Sequence, residues 1–283
     1  MKNIILLILL SFTSILYANI NTVVSILPQK TFLKAIGGDH VNITVMVKPG
    51  SSPHTYEPKP SQMIDISKAD IYLSIDVEFE KTWLPKFTNQ NKNMQVFDVS
   101  KSITKKSISR HSHSKQPNKH KESLDPHIWT NTSNVKIIAK NILDALILVD
   151  KDNKNYYTNN YNNFIKKINK TKQTILTILK DIKPNSKFMV FHPAWQYFAN
   201  EFNLVQMAIE IDGKSPKPKE LIYILKEAKE ENIKAIFTAP EFSTKTAKLL
   251  AKQLNIKVIP VSPLNPKWSK NLINLAIAIK GIH

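Results

Sequence analysis

The stretch YTNNYNNFIKKINKTKQTILTILKDI, residues 157–182, decides the fold expected for this chain. Its apolar side chains recur at spacings of three and four, with one spacing of seven across Thr171, and so form one stripe along a helix. The members of this stripe are Tyr157, Tyr161, Phe164, Ile168, Ile175, Leu179 and Ile182. A helix of about eight turns would be roughly 40 Å long, enough to run the height of a domain. Pro184 is expected to end it.

Strand-like and helix-like segments alternate on both sides of this helix. The strand-like runs before it cover residues 22–28, 41–47, 71–75 and 94–99. Those after it cover residues 187–193, 204–210, 234–240 and 257–263. This alternation predicts an α/β fold with two lobes, each a mainly parallel sheet flanked by helices, joined by one long backbone helix.

The start of the chain, MKNIILLILLSFTSILYANI, is typical of a secretory signal peptide, with one early lysine, an apolar run over residues 4–10 and the small residue Ala18. We therefore expect a periplasmic protein with a cleavable signal peptide. The expected divisions are a signal peptide at 1–18, an N-terminal lobe at 19–130, a helical linker with the long backbone helix at 131–183, and a C-terminal lobe at 184–283.

Lysine dominates the charge of the chain, whose formal net charge is +18 and whose only arginine is Arg110. Planar, bidentate recognition of phosphate favours arginine, and the lysines are scattered, so we expect no nucleic-acid partner. Cysteine is absent from the sequence. Disulfides and thiolate metal sites are therefore excluded.

Glycine usage excludes several enzyme motifs. The five glycines are Gly37, Gly38, Gly50, Gly213 and Gly281, and their spacing fits neither a P-loop nor a G-x-G-x-x-G turn. The sequence also lacks a G-x-S-x-G nucleophile elbow and an H-E-x-x-H zincin helix. Nucleotide-binding and common hydrolase functions are therefore disfavoured.

Three histidines beside prolines stand at the ends of predicted elements. His54 follows the strand-like run at 41–47, and His192 follows the strand-like KFMVF. His127 lies in DPHIWTN, directly before a helix. The carboxyl ends of strands face the ligand crevice in open α/β sheets, so two of the three lie where a site is expected. One such histidine is more often a surface or packing residue, but three from separate loops would form a credible zinc site.

Five segments carry a family resemblance: PGSSPHTYEPKPSQM (49–63), DPHIW (125–129), FHPAWQYFANEFNL (191–204), EIDGKSPKPKEL (210–221) and IFTAPEFSTKTAKLLAKQL (236–254). In this order they resemble the zinc- and manganese-binding solute receptors of ABC importers, the cluster 9 or zinc-uptake receptor family. The resemblance covers nearly the whole chain after the signal peptide. It implies a metal ion held between two α/β lobes joined by a long helix.

The resemblance also implies that His54, His127 and His192 are the first, second and third ligands of a Zn²⁺ ion. The fourth position is open between Glu241 and water, because the chain departs from the family pattern twice. Ser262 stands where many relatives have an acidic residue. Ala239-Pro240-Glu241-Phe242 stands where they often read Glu-Pro-Gln-Phe.

The function implied is a monomeric, high-affinity periplasmic receptor that is not an enzyme. It would deliver Zn²⁺ to a membrane permease with a cytoplasmic ATPase and would contact the inner membrane only through that permease. The alternatives are a manganese receptor of the same family and, in a different class, a three-histidine zinc hydrolase with Glu241 as its base. An adhesin-like or metal-chaperone role is a further possibility within the receptor class.

The polar, basic segment at 101–122 has no apolar period and is expected to be a mobile loop. It contains His111, His113 and His120. Resemblance to zinc receptors with histidine-rich loops implies auxiliary metal capture there, and the alternative is a solvated linker that happens to contain histidines.

Overall fold

The computed structural model describes residues 19–108, 124–210 and 214–283. Within these residues the strands form two four-stranded sheets in which every neighbouring pair is parallel. The predicted α/β fold with mainly parallel sheets is thus confirmed. The signal-peptide prediction for residues 1–18 lies outside the described residues.

The first sheet has the strand order β2-β1-β3-β4. Its strands are β1 (Ile20–Val24), β2 (Val41–Val45), β3 (Ile71–Ser74) and β4 (Gln95–Asp98). The helices between them are α1 (Leu27–Gly37), α2 (Pro60–Ser67) and α3 (Glu78–Gln90). All four residues of β3 are buried, as expected of an inner strand of a parallel sheet covered on both faces.

Gly38 caps the C-terminal end of α1. Its backbone has a φ of 55°, in the left-handed region that favours glycine. A Cβ atom at this position would lie 2.0 Å from the hydroxyl oxygen of Tyr156, a residue of the long helix. The end of α1 therefore fits closely against that helix only because residue 38 is glycine.

Two helices connect the sheets. After a 3-10 turn at Ile128–Thr130, the chain forms α4 (Thr132–Val149) and then α5 (Lys154–Leu179). The 26 residues of α5 span about 39 Å, which confirms the predicted long helix. In the described part of the chain, no helix is both long and apolar enough to cross a membrane.

The long helix ends three residues earlier than the apolar stripe predicts. Ile182 lies in the turn that follows, where its backbone N–H donates to the carbonyl of Leu179 at 3.0 Å. Its side chain still packs against the core. The apolar stripe therefore predicts which side chains are buried, and Ile182 is one of them. It does not predict where the helix ends, because the residue before Pro184 disfavours the helical conformation.

The second sheet has the strand order β6-β5-β7-β8. Its strands are β5 (Ser186–Val190), β6 (Leu204–Ala208), β7 (Ala235–Thr238) and β8 (Lys257–Pro260). The accompanying helices are α6 (Gln196–Glu201), α7 (Pro218–Glu230), α8 (Lys245–Leu254) and α9 (Trp268–Lys280).

Two buried tryptophans form hydrogen bonds that connect the two lobes. The indole N–H of Trp129 donates to the carbonyl of Pro263 at 2.8 Å, and that of Trp268 donates to the carbonyl of Trp129 at 2.7 Å. The ring of Trp268 also meets Phe32 edge to face, with centroids 5.5 Å apart. One apolar core therefore runs from the first lobe through the connecting helices into the second. A smaller core lies on the far face of the second sheet.

Candidate metal centre

Three loops bring the predicted histidines to one place between the lobes. His54 lies between β2 and α2, and His192 lies two residues beyond the end of β5. His127 immediately precedes the 3-10 turn that leads into α4. All three thus come from segments beside the carboxyl ends of parallel strands or at the entry to the connecting helices, where ligands bind in open α/β sheets.

The ring nitrogens of the three histidines converge. One nitrogen from each residue lies within 4.8 Å of one from each of the others, and the Nε2 atoms of His127 and His192 are 3.2 Å apart. Two nitrogens bound tetrahedrally to one zinc ion at 2.0–2.1 Å would be about 3.3 Å apart. The spacing therefore fits two ligands of one small cation.

Each histidine has a carboxylate on its other ring nitrogen. Nδ1 of His54 is 2.7 Å from Glu78, Nδ1 of His127 is 2.7 Å from Asp125, and Nδ1 of His192 is 2.5 Å from Glu210. A carboxylate accepts hydrogen bonds, so the imidazole proton resides on Nδ1 and the lone pair on Nε2. These contacts favour the tautomer in which the Nε2 lone pair of each histidine is available to a cation.

The three histidines present buried acceptor nitrogens that a cation would satisfy. Nε2 of His54 is buried without a hydrogen-bond partner, and with Nδ1 protonated the facing Nε2 atoms of His127 and His192 are both acceptors. Unpaired acceptors are costly to bury. A metal ion bound by all three nitrogens would satisfy them together.

Hydrogen bonds to Asp125 hold the loop that carries His127. Asp125 accepts from both the backbone N–H of His127, at 2.9 Å, and its imidazole. The hydroxyl of Tyr197, from the second lobe, donates to the carbonyl of Asp125 at 2.9 Å. Asp125 is fully buried. The second lobe thus helps to hold His127 in place.

His192 is buried and packs against an aromatic ring. Phe242 stacks on its ring, with centroids 4.1 Å apart and planes 21° apart. Burial lowers the pKa of His192 to about 4, and the nearby His127 acts in the same direction, while the hydrogen bond to Glu210 opposes them. His192 is therefore neutral, and able to bind metal, at pH 7.

Glu241 borders the same small cavity as His54 and His127. One of its carboxylate oxygens, Oε1, accepts from the hydroxyl of Ser262, and the other, Oε2, is buried without a hydrogen-bond partner. Its oxygens do not belong to the set of ligand atoms that lie within 4.8 Å of one another. The structure thus brings Glu241 beside the histidines without joining it to their cluster.

Sequence reasoning missed the carboxylates that orient the histidines. Asp125 carries a signal, because it precedes His127 by two residues and can form this local turn. Glu210 has a weaker one, as an acidic residue just after a strand. Glu78 has none, since its contact with His54 spans 24 positions and depends on the packing of α3. The predicted auxiliary ligands His111, His113 and His120 lie outside the described residues.

A metal-binding solute receptor is the class that this fold and site indicate, and comparison with known proteins agrees. The family model described as zinc-uptake complex component A, periplasmic, matches residues 22–275. The chain belongs to this family. It is also similar to a crystal structure of ZnuA, at 37% identity and a TM-score of 0.85, covering 93% of this chain and 98% of that one.

Two curated relatives are more distant in sequence. The zinc-binding protein AdcA of Streptococcus pyogenes is 26% identical over 281 residues, covering 89% of this chain and 52% of AdcA. The high-affinity zinc uptake system protein ZnuA of Bacillus subtilis is 27% identical over 245 residues, covering 84% of this chain and 76% of that protein. The chain thus spans about half the length of AdcA.

Proposed function

We propose that this chain is a high-affinity periplasmic receptor that binds Zn²⁺ and delivers it to an ABC-type membrane permease. His54, His127 and His192 are its metal ligands, and the fourth donor is Glu241 or a water molecule. The proposed partners are the permease and its cytoplasmic ATPase, and the receptor acts as a monomer. This assignment is in keeping with the zinc uptake and zinc binding for which the family and the AdcA and ZnuA relatives are named.

The observation that carries the proposal is the convergence of three histidine nitrogens whose partners on the other side are carboxylates. A ligating histidine that donates its second N–H to a carboxylate is a recurrent arrangement around zinc. Its ring cannot easily turn, so the three lone pairs are directed before the ion arrives. This preorganisation supports tight binding.

An all-imidazole donor set favours zinc over manganese. Imidazole suits zinc, copper and nickel, whereas manganese prefers shells rich in carboxylate, carbonyl and water oxygens. The carboxylates of Glu78, Asp125 and Glu210 contact the histidines' Nδ1 atoms and so act as hydrogen-bond partners of the ligands. We therefore expect the site to bind Mn²⁺ more weakly than Zn²⁺.

The lobes should move little when the ion binds. Trp129 and Trp268 connect the segment at 263–268 to the connecting helices, and α5 packs against both α1 and α9. A continuous core through these contacts resists wide hinge opening. We expect small shear movements and ordering of the loops around the histidines instead.

The proposal is tested by transport. The receptor, its permease and the ATPase are reconstituted from the same organism into liposomes, and ATP-dependent zinc uptake is measured with the wild-type receptor and with His192→Ala. We expect uptake with the wild type and a loss of at least tenfold with the variant at limiting zinc. His283→Ala, which removes an exposed histidine at the end of the chain, is the matched control.

Uptake that does not depend on the receptor, or that is unchanged in His192→Ala, would contradict the proposal. Zinc-dependent ester hydrolysis that disappears in Glu241→Ala would support the hydrolase alternative instead.

A further inference from the structure

The two lobes repeat one short sequence at the start of a helix. PKPSQMI occupies residues 58–64, and PKPKELI occupies residues 216–222. Helix α2 begins at Pro60 and α7 begins at Pro218. These helices hold the same place in the topology, because the strand orders β2-β1-β3-β4 and β6-β5-β7-β8 correspond strand for strand. We call residues 58–64 and 216–222 the paired helix starts.

Helix capping explains much of this repeat. The side chain of Gln62 accepts from the backbone N–H of Lys59 at 3.0 Å, and the carboxylate of Glu220 accepts from that of Lys217 at 2.6 Å. The two positions of a hydrophobic staple are also apolar in both lobes, and they are occupied by Pro58 with Met63 and by Pro216 with Leu221. These residues are therefore accounted for within the chain.

One repeated residue has no part in the cap. Ile64 and Ile222 occupy the fifth position of their helices and are 56% and 66% exposed. Ile66 and Ile224, two positions later, are buried, so each helix packs on its lobe through another face. A single exposed isoleucine needs no explanation, whereas the same residue exposed at the equivalent position of both lobes indicates a shared role.

The paired helix starts lie at the edge of the lobes where the histidines converge, since each helix begins beyond the carboxyl end of the preceding parallel strand. Lys59 follows His54 by five residues, and Lys217 follows Glu210, the hydrogen-bond partner of His192, by seven. Those lengths of chain reach at most about 18 Å and 25 Å. A partner that receives the ion must cover this edge and would meet both helix starts there.

Positive charge accompanies both isoleucines. Lys59 and Lys217 are exposed at the same position of the repeat, and Lys219 adds a third exposed ammonium group on the second lobe. A surface complementary to the paired helix starts would therefore carry apolar side chains beside acidic ones.

We infer that the paired helix starts are the docking surface for the permease, and that each lobe meets one of two like surfaces of that membrane protein. A surface that occurs twice on the receptor fits a partner that presents its own surface twice. The permease surfaces are apolar where they meet Ile64 and Ile222 and acidic where they meet the lysines. This inference rests on the proposed function and names the part of the receptor that its partner recognises.

Site-directed cross-linking tests the contact directly, because the chain has no cysteine of its own. Ile64→Cys and Ile222→Cys are each labelled with a photoactivatable maleimide, loaded with zinc and irradiated with liposomes that hold the permease and its ATPase. We expect both to cross-link to the permease. Ile277→Cys, at an isoleucine of α9 that is 54% exposed and lies nine residues beyond the start of its helix, is the control and should not. Cross-links from only one lobe, or to lipid or a second receptor molecule instead, would overturn the inference.

Receptor-dependent zinc uptake into the same liposomes tests the energetic contribution. We expect Ile64→Ser and Ile222→Ser each to raise the receptor concentration that gives half-maximal uptake by about fivefold, since each removes apolar contact area. The double variant should show about the product of the two changes, because the residues lie on different lobes. Zinc affinity should stay within twofold of wild type in all three, and Ile277→Ser should alter neither quantity. Serine variants that match Ile277→Ser, or that impair uptake only by weakening zinc binding, would contradict the docking role.

Lys59→Gln combined with Lys217→Gln tests the charge. We expect this pair of changes to raise the half-saturating receptor concentration and to reduce its dependence on salt, because salt screens exposed charges. Lys226→Gln, at an exposed lysine of α7 beyond the helix start, is the control. An unchanged salt dependence would contradict an acidic partner surface. These substitutions keep both isoleucines, so they remain decisive if a serine variant fails to fold.

Failure of this inference is distinguishable from failure of the proposed function. Absence of uptake with the wild-type receptor would contradict the proposed function itself. Uptake that is lost in His192→Ala but unchanged in the isoleucine and lysine variants would leave the receptor assignment standing and would overturn the docking surface.

Discussion

His127 and His192 place their Nε2 atoms 3.2 Å apart across the two lobes, although 65 positions separate them in the chain. Each of these histidines donates its Nδ1 proton to a carboxylate, Asp125 and Glu210 respectively. Both facing nitrogens are consequently acceptors, and a cation between them removes their repulsion. The affinity of the site should therefore depend on the carboxylates as well as on the histidines.

Asp125→Asn should weaken zinc binding by about 10- to 100-fold, the usual cost of losing the partner of a ligating histidine. The amide removes the charge that holds the imidazole proton on Nδ1, and it can present an N–H group to that nitrogen instead. The measurement is chelator competition at pH 7.5. Asp144→Asn, an exposed change on α4, should leave the affinity unaltered. A zinc affinity within twofold of wild type in Asp125→Asn would contradict this role.

Zinc affinity should fall as the pH is lowered from 7.5 to 5, because protons compete with the metal ion for the imidazole lone pairs. The pKa of His192 is lowered to about 4 by burial, so this residue keeps its lone pair over the whole range. Fewer than three protons should therefore compete with each zinc ion. Calorimetry in several buffers gives this number, and an affinity that is flat over the range would rule out a three-histidine site.

Glu80 should make the metal-free protein less stable as the pH rises. Burial raises the pKa of this carboxyl to about 7, against hydrogen bonds from Ser25 and the backbone of Ile75 and Asp76. Between about pH 4.5 and 7 the folded state holds a proton that the unfolded state has lost. The stabilisation from this bound proton is thus complete below pH 4.5 and is lost as the pH rises toward 7. The loss in unfolding free energy is at most roughly 3 kcal/mol.

Urea unfolding of wild type and Glu80→Gln at several pH values measures this effect. The difference in unfolding free energy between the two proteins should change across that range, because glutamine does not titrate. Glu230→Gln should follow the wild-type curve. A constant difference between wild type and Glu80→Gln would contradict the prediction.

Glu201 should be a major stabilising contact between α6 and the connecting helices. Its buried carboxylate accepts from the backbone N–H and hydroxyl of Thr132, from Ser133 and from Lys172. These hydrogen bonds lower the pKa of Glu201, although burial opposes them. Glu201→Ala should reduce the unfolding free energy by roughly 2–4 kcal/mol, since several donors lose their acceptor. A loss as small as that of the exposed change Glu230→Ala would show that these donors find other partners.

The sequence is informative about elements whose pattern is local. The apolar stripe from Tyr157 to Leu179 predicts α5 because one face of a long helix must be buried along its whole length. The alternation of strand-like and helical runs predicts parallel sheets, which the structure has. Two ends differ from the prediction. Helical hydrogen bonding stops at Leu179 although burial continues to Ile182, and the strand-like run at 22–28 is wrong at its end, because β1 stops at Val24 and Pro28 lies in the first turn of α1.

The site is predictable only in part, because its contacts join distant segments. Strand ends indicate where His54 and His192 lie, and family resemblance adds His127. The pairing of His54 with Glu78, and of Ser262 with Glu241, depends on side-chain directions across separate loops. Periodicity and spacing carry no information about such directions, so these contacts require the structure.

The measurement that tests the central claim most directly is calorimetric titration of the metal-free protein, from Asn19 onward, with Zn²⁺ and then with Mn²⁺. We predict one tight zinc site in the wild type and in the His283→Ala control, weaker manganese binding, and at least a hundredfold loss of zinc affinity in His192→Ala, the order expected for loss of one ligand. Tight manganese binding would contradict the proposed cargo, and unchanged zinc affinity in His192→Ala would contradict the proposed ligands.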